Sequence, residues 1–165
     1  MTSKQSIVNP VANGKVRGYD KHGAGHYHAP RGTRLHDGID IITTTGQDIV
    51  SPIDGTVTRK SYPYAGDLRY TGLLITGTGK HKDFEVKIWY MLPFQTLIGK
   101  PVIAGNQIGT AQDLTIKYPS ITNHVHLQVK VNGKSVDPAT LITTGSAAKK
   151  LLHSGPPWAA HRAIT

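Results

Sequence analysis

The feature that most constrains the fold is a repeating alternation of short apolar or β-branched runs with Gly, Pro, Asn or Asp. Such runs are typical of β-strands, and helical periodicity is scarce along the chain. The 18 glycines and 10 prolines among 165 residues fit a chain with many turns. The pattern predicts a mainly β fold, built on an antiparallel sheet, with little helix and an irregular N-terminal arm. The predicted strands are residues 38–43, 47–51, 55–61, 72–77, 84–91, 107–110, 124–131 and 135–137.

The connections between these strands carry turn signals. "VNGK" contains the pair Asn132-Gly133, which is the strongest short signal for a β-hairpin, and "GTGKHKD" also reads as a hairpin loop. In "DPATLI", Asp137 as cap and Pro138 at the first position predict a single helical turn.

The length is sufficient for one domain with a real hydrophobic core. We expect an N-terminal arm over residues 1–17, a β domain over residues 18–143 and a C-terminal tail over residues 144–165. Within the tail, residues 146–153 predict a short helix.

The charge and the cysteine count narrow the possible partners and chemistry. A net charge of +9 and a pI of about 9.8 favour anionic partners, although a merely solvated basic surface would give the same totals. With no cysteine, a thiolate metal site and a cysteine nucleophile are excluded. Only two Phe and two Trp argue against a stacking platform for nucleic acid, and we expect no nucleic-acid partner.

Histidine and aspartate residues recur at spacings that suit a metal site. His36 and Asp40 lie four residues apart at a strand entrance, and His124 and His126 alternate on a predicted strand, which places both side chains on one face. Each motif alone fits a salt bridge or a structural histidine. Both together favour a metal site, because zinc takes imidazole nitrogens and carboxylate oxygens as ligands.

With these motifs in this order, the sequence resembles the lysostaphin/LytM-type zinc metallopeptidases, which cleave peptide cross-links of bacterial peptidoglycan. "GQDIVSPIDGTVTRK" and "GKPVIAGNQIGTA" are similar to further segments of that family. "YDKHGAGHYHAPRGTRLHDGIDI", "YPYAG", "YPSITNHVHLQV" and "VDPATLI" resemble its leukocyte cell-derived chemotaxin branch and the bacterial relatives of that branch. The fold implied is an antiparallel sheet of a duplicated hybrid motif, with a metal at the floor of an open groove.

The resemblance implies a role for each matching residue. His36, Asp40 and His126 would bind one Zn²⁺, and His124 would serve as general base or as a donor to the developing oxyanion. The peptidases also carry a histidine in a Tyr-x-His-Leu segment. Here the segment is "WYMLP", so that Tyr90 matches and Leu92 stands in place of the histidine.

Other side chains could take over from the absent histidine. Among His22, His26 and His28 of the segment before the first ligand, His28 is the preferred candidate, and Tyr27 could supply a hydroxyl donor. His81 lies at the far end of the strand that leads to position 92, so it is a poor candidate.

Two functions follow as hypotheses. The first is a zinc metalloendopeptidase that cleaves peptide bonds in peptidoglycan. Such a protein would act as a delivered antibacterial effector or as a lysin domain. The sequence does not identify a delivery or immunity partner. The alternative is a noncatalytic, zinc-stabilised binding or signalling module of the chemotaxin type.

The sequence shows no apolar stretch of signal-peptide or membrane-span length. We therefore expect a protein made in the cytoplasm that acts in the periplasm or cell wall after non-classical delivery.

Overall fold

The structure, a computed structural model, describes residues 5–143. Within this range the chain forms short strands and three 3₁₀ turns, Gly79–His81, Gln95–Leu97 and Pro138–Thr140. The strands in chain order are β1 (Pro30–Arg31), β2 (Arg34–Leu35), β3 (Ile39–Ile42), β4 (Asp48–Val50), β5 (Gly55–Lys60), β6 (Gly72–Gly77), β7 (Phe84–Trp89), β8 (Met91–Pro93), β9 (Pro101–Val102), β10 (Gln107–Ala111), β11 (His124–Val131) and β12 (Lys134–Val136).

All the strand pairings are antiparallel. The main sheet has the order β12-β11-β7-β6-β5-β9, and β3 pairs with the first half of β11 on the edge that β12 uses further along. A three-stranded sheet has the order β4-β10-β8, and β1 and β2 form a small ribbon. The mainly β, antiparallel fold is therefore confirmed.

Each strand predicted from the sequence is present, and the additional strands are short. β1, β8 and β9 are two or three residues long and each contains a proline. Proline cannot donate to a β-ladder, so it is confined to edge strands and strand ends. β8 and β9 are edge strands of their sheets. Such segments carry little of the alternation by which longer strands are recognised.

The predicted turns form as the local sequence indicates. Asn132 and Gly133 join β11 to β12 as a two-residue loop, both with positive φ (52° and 78°) as a type I′ turn requires. "GTGKHKD" connects the antiparallel strands β6 and β7. The Asp137 side chain accepts a hydrogen bond from the backbone N–H of Ala139 and so caps the turn that Pro138 begins.

The N-terminal segment forms part of the core. From residue 5 onward it has no regular strand, but Ile7 and Val11 are fully buried within the main hydrophobic cluster. The backbone N–H of Ile7 donates to the carbonyl of Leu141, which joins the two ends of the described chain. The division of the chain at residues 17 and 18 stays a prediction, and the predicted helix at 146–153 lies outside the described residues.

None of the helical turns in residues 5–143 has the length and apolarity needed to cross a membrane.

Candidate metal centre and cleft

The antiparallel pairing of β3 with β11 brings the two sequence motifs together. In this register Asp40 lies directly opposite His126. Alternation along β11 turns Val125 and Leu127 into the core and leaves His124 and His126 on the other face. Gly38 permits the close approach, because a Cβ at that position would lie 2.1 Å from the carbonyl oxygen of Leu127.

Three side-chain atoms converge at this crossing. His36 Nε2 lies 3.0 Å from His126 Nδ1, and Asp40 Oδ1 lies 3.2 Å from each of these nitrogens. Ligands 2.0–2.1 Å from a tetrahedral zinc ion are about 3.3 Å apart, so the triangle already has nearly the spacing of three zinc ligands. The three side chains are buried.

The hydrogen bonds around the triangle favour a cation at its centre. His36 Nδ1 lies 3.0 Å from the carbonyl oxygen of His26, which can only accept, so the ring hydrogen belongs on Nδ1 and Nε2 presents a lone pair. His126 Nε2 has no hydrogen-bond partner among the described residues, and the ring stacks on Trp89 instead. With both rings neutral, at most one hydrogen lies among three acceptor atoms, an arrangement that a metal ion satisfies.

The second oxygen of Asp40 is bound by arginine. Arg17 Nη2 donates to Asp40 Oδ2 at 3.0 Å, and Arg31 lies 3.5 Å from the same oxygen. Arg17 is only 3% exposed and also pairs with Asp20 at 2.9 Å. The two carboxylates and the two guanidinium groups balance in charge, as buried ions require. Asp40 Oδ1 therefore faces His36 and His126, and Asp40 Oδ2 faces the two arginines.

The protonation states follow from burial and these contacts. Burial alone would raise the pKa of Asp40, but its contacts with His126, His36 and His124 hold that pKa well below its usual range. For His124, burial dominates and lowers the pKa, against the opposing charge of Asp40. At neutral pH the carboxyl is thus ionised and the His124 ring is neutral.

His124 stands beside the triangle without belonging to it. Its Nδ1 donates to the carbonyl of Thr122 at 2.8 Å, so Nε2 carries the free lone pair. That nitrogen lies 3.5 Å from Asp40 Oδ2. A neutral imidazole with a fixed tautomer and an available nitrogen is suited to take a proton from a water molecule at the site.

The centre opens into a cleft of about 460 Å³. One wall carries cationic side chains, Arg31 and Arg34, and another carries hydroxyl groups from Tyr64, Tyr90 and Tyr118. The floor is the open face of the main sheet.

Comparison with known proteins identifies the family. The sequence profile described as peptidase family M23 matches residues 34–138, which include all four residues of the two motifs. The chain belongs to this family. Leukocyte cell-derived chemotaxin-2 of Mus musculus is 30% identical over 138 residues, 83% of this chain and 85% of that protein.

Solved structures agree on the fold. The solution structure of lysostaphin matches with a TM-score of 0.62 and 19% identity over 88% of this chain. This chain spans only 56% of that lysostaphin chain. The catalytic domain of the antimicrobial peptidase lysostaphin from Staphylococcus simulans matches with a TM-score of 0.52 and 21% identity, over 72% of this chain and 88% of that one.

Position 92 matches the histidine of the Tyr-x-His-Leu segment, and it lies outside the cleft. Leu92 is 53% exposed and lines a separate depression with Tyr70 and Gln112. Tyr90, two residues earlier, has a positive φ of 70°, and this bend carries the chain from the main sheet into β8 of the smaller sheet.

The structure does not bring the two proposed replacements, His28 and Tyr27, into the cleft. The Tyr27 hydroxyl is 3.0 Å from the Ser135 hydroxyl, and the His28 ring is exposed and stacks on Tyr27. The segment instead supports His36 through its backbone, since the His28 N–H donates to the carbonyl of His36. A catalytic role for either side chain stays a prediction without support from the cleft geometry.

Two further histidines, His22 and His81, lie outside the triangle. His22 does line the cleft, with its ring edge-on to Tyr118. His81 is buried in the β6–β7 connection, where it accepts a hydrogen bond from Asp54 N–H and contacts the carbonyl of Ser6. It is a structural residue, in keeping with its exclusion by strand length.

Sequence reasoning missed the arginine partners of Asp40 and the tyrosine wall. The i, i+3 spacing of Arg17 and Asp20 was a weak signal, because such pairs are common on surfaces. A carboxylate inside an apolar strand is the stronger signal, because a buried charge needs a charged partner.

We predict that Arg17→Leu lowers both the stability of the fold and its affinity for zinc. Removing one partner of a buried ion pair costs about 3–5 kcal/mol, because the remaining charge is left uncompensated. Loss of a group that orients a metal ligand weakens metal binding by about ten- to a hundredfold. Denaturant unfolding and competition with a zinc chelator measure the two effects.

Arg69→Leu is the matched control, since Arg69 is largely exposed and pairs with Asp67 away from the triangle. It should leave zinc affinity unchanged. A folded Arg17→Leu protein with the zinc affinity of the wild type would show that Arg17 does not orient Asp40.

Proposed function

We propose that the protein is a zinc metalloendopeptidase that hydrolyses peptide bonds in bacterial peptidoglycan. The observation that carries this proposal is the triangle of acceptor atoms, with His124 beside it, at the floor of an open cleft. Membership of peptidase family M23 supports peptide hydrolysis as the reaction. The fold shared with an antimicrobial peptidase supports the bacterial cell wall as the target.

His36 Nε2, Asp40 Oδ1 and His126 Nδ1 fit a zinc ion, as their spacing and free lone pairs indicate. When bound there, zinc would act as a Lewis acid towards the scissile carbonyl and lower the pKa of a water molecule to about 7. Three protein ligands leave one coordination position open, which is the arrangement of catalytic rather than structural zinc sites.

His124 supplies the proton transfer. Its Nε2 takes a proton from the attacking water, and the oxygen of that water forms a bond to the carbonyl carbon. When the C–N bond breaks, the same proton passes to the leaving nitrogen, so the products are a carboxylic acid and an amine. The hydrogen bond to Thr122 keeps the imidazole in the tautomer that this cycle needs.

The cleft suits a peptide that carries negative charge. The charged residues that line it are Arg17, Arg31 and Arg34 against Asp37 and Asp40, and the whole chain has a net charge of +9. A cationic cleft raises the local concentration of an anionic substrate such as the cell-wall polymer.

A noncatalytic zinc module is the second candidate, and two observations favour it. The family histidine is replaced at position 92, and the mouse chemotaxin is 30% identical over most of both chains. In that case the metal would stabilise the fold, and His124 would have no role in a reaction.

We predict that the zinc-loaded wild type cleaves purified peptidoglycan sacculi at a peptide bond, and that His124→Ala does so at least a hundredfold more slowly. General acid–base residues contribute about 10²- to 10⁴-fold to rate. Zinc content should be unchanged in the variant, because His124 lies outside the ligand triangle. Mass spectrometry of the released muropeptides identifies the bond, and atomic absorption measures the metal.

His36→Ala is the contrasting variant and should lose both zinc and hydrolysis. Intact sacculi after incubation with zinc-replete wild type, together with retained binding to them, would favour the noncatalytic module instead.

Action on peptidoglycan also implies a place of action outside the cytoplasm, so we extend the proposal to a protein delivered to the periplasm or wall. Expression with an added periplasmic export signal should lyse a Gram-negative host, whereas expression without that signal should not. Equal toxicity of the two forms would contradict the delivery proposal.

A further inference from the structure

Three tyrosine hydroxyls form a connected group on the cleft wall. Tyr64 Oη lies 2.9 Å from Tyr90 Oη and 2.7 Å from Tyr118 Oη. The three side chains come from separate parts of the chain, the loop before β6, the end of β7 and the loop before β11, and all three line the cleft that holds the metal centre.

We propose that the Tyr90 hydroxyl, at the end of the chain Tyr118–Tyr64–Tyr90, donates a hydrogen bond to the carbonyl oxygen of the scissile peptide as that oxygen becomes negatively charged. Tyr90 would thereby supply the donor for which this chain has no histidine at position 92. The inference rests on the proposed peptidase function.

The count of hydrogens leaves one for the substrate. Three hydroxyls carry three hydrogens, and the two hydrogen bonds between them use two, whichever way they run. Tyr90 Oη has no other hydrogen-bond partner in residues 5–143. If Tyr118 donates to Tyr64 and Tyr64 to Tyr90, the remaining hydrogen is on Tyr90, and each bond in such a chain strengthens the next.

Tyr90 is the member of the group whose ring contacts the proposed general base. Its ring meets the His124 ring edge-on, with the centroids 5.6 Å apart. Tyr118 instead meets His22, which belongs to neither the triangle nor the proton transfer. A donor next to the general base is positioned to reach the carbonyl that the activated water attacks.

The backbone holds Tyr90 in an unusual conformation for this purpose. A positive φ is uncommon for a bulky residue, and such residues concentrate at functional sites. The N–H of Tyr90 donates to the carbonyl of Thr71 at 2.8 Å, and its own carbonyl accepts from Gln112 N–H at 2.9 Å. Both hydrogen bonds fix the residue at the bend between β7 and β8.

The hydroxyl stays protonated at any physiological pH. Burial is the main cause that raises the pKa of Tyr90 to about 12; the hydrogen bond from Tyr64 lowers it, and the charge of Asp40 raises it further. Burial also raises the pKa of Tyr64. The Tyr90 hydroxyl therefore remains a donor and never becomes a competing negative charge.

With this backbone, a side chain at position 92 cannot supply the hydrogen-bond donor in the cleft. Because the bend at Tyr90 directs Leu92 into the separate depression, a histidine introduced there would also point away from the cleft. The variant Leu92→His therefore tests whether the hydrogen-bond donor is supplied by the tyrosine group or by a histidine at position 92.

The test compares Tyr90→Phe with the wild type on muropeptides released from sacculi, after zinc content and unfolding are shown to be unchanged. Loss of one such donor lowers kcat by about 10²- to 10³-fold, and KM should stay within twofold because the bond forms only as charge develops. A phosphinic analogue of the cleaved peptide, which carries the tetrahedral oxygen, should bind more weakly to the variant by a similar factor. Tyr64→Phe should lower kcat by about threefold to tenfold through loss of one supporting hydrogen bond.

Tyr19→Phe is the matched control, since Tyr19 is 85% exposed, and it should match the wild type. An active wild type with unchanged kcat in Tyr90→Phe would overturn the inference while leaving the peptidase function intact. So would unchanged kcat in Tyr64→Phe, or a gain of tenfold or more in Leu92→His. An inactive, zinc-replete wild type would overturn the proposed function and the inference together.

Discussion

The site depends on the burial of one carboxylate, that of Asp40, between two sets of partners. Its Oδ1 faces His36 and His126, and its Oδ2 faces Arg17, which is itself buried. A charge in this position is expensive unless it is paired and hydrogen-bonded. The arginine contact balances the charge of the carboxylate and leaves the other oxygen free to face the histidines.

The sheet determines which residues meet at this point. Because β3 and β11 are antiparallel, Asp40 and His126 are direct cross-strand neighbours, and strand alternation separates them from the core residues on either side. The same alternation places His124 on the cleft side, one residue pair further along. A shift of either strand by one residue would turn the apolar face of that strand away from the core, so core packing and site geometry are specified together.

Much of this arrangement could be predicted from the sequence. The strands are local patterns, and the spacings of His36 with Asp40 and of His124 with His126 show which side chains share a face. The contacts of Arg17 with Asp40 and of Tyr64 with Tyr90 join residues 23 and 26 positions apart through the folded chain, and no local period encodes them. His28 and Tyr27 precede the first ligand closely in sequence, but the His28 ring is exposed and the Tyr27 hydroxyl contacts Ser135, so that a catalytic role for either stays a prediction.

The two functional hypotheses share the same centre and differ in what surrounds it. A structural zinc site needs its ligands and a closed shell, whereas this centre has a neutral histidine with a free nitrogen and three hydroxyl groups at its opening. The peptidase hypothesis gives these groups a role in the reaction, whereas in the noncatalytic module they would serve only to bind a ligand.

The measurement that tests the account most directly is anomalous diffraction at the zinc edge from crystals of the zinc-loaded protein. The account predicts one strong peak at about 2.0–2.2 Å from His36 Nε2, Asp40 Oδ1 and His126 Nδ1, with His124 outside bonding distance. A peak held by other histidines, or no peak in protein crystallised with equimolar zinc, would contradict the assignment of this triangle as the metal centre.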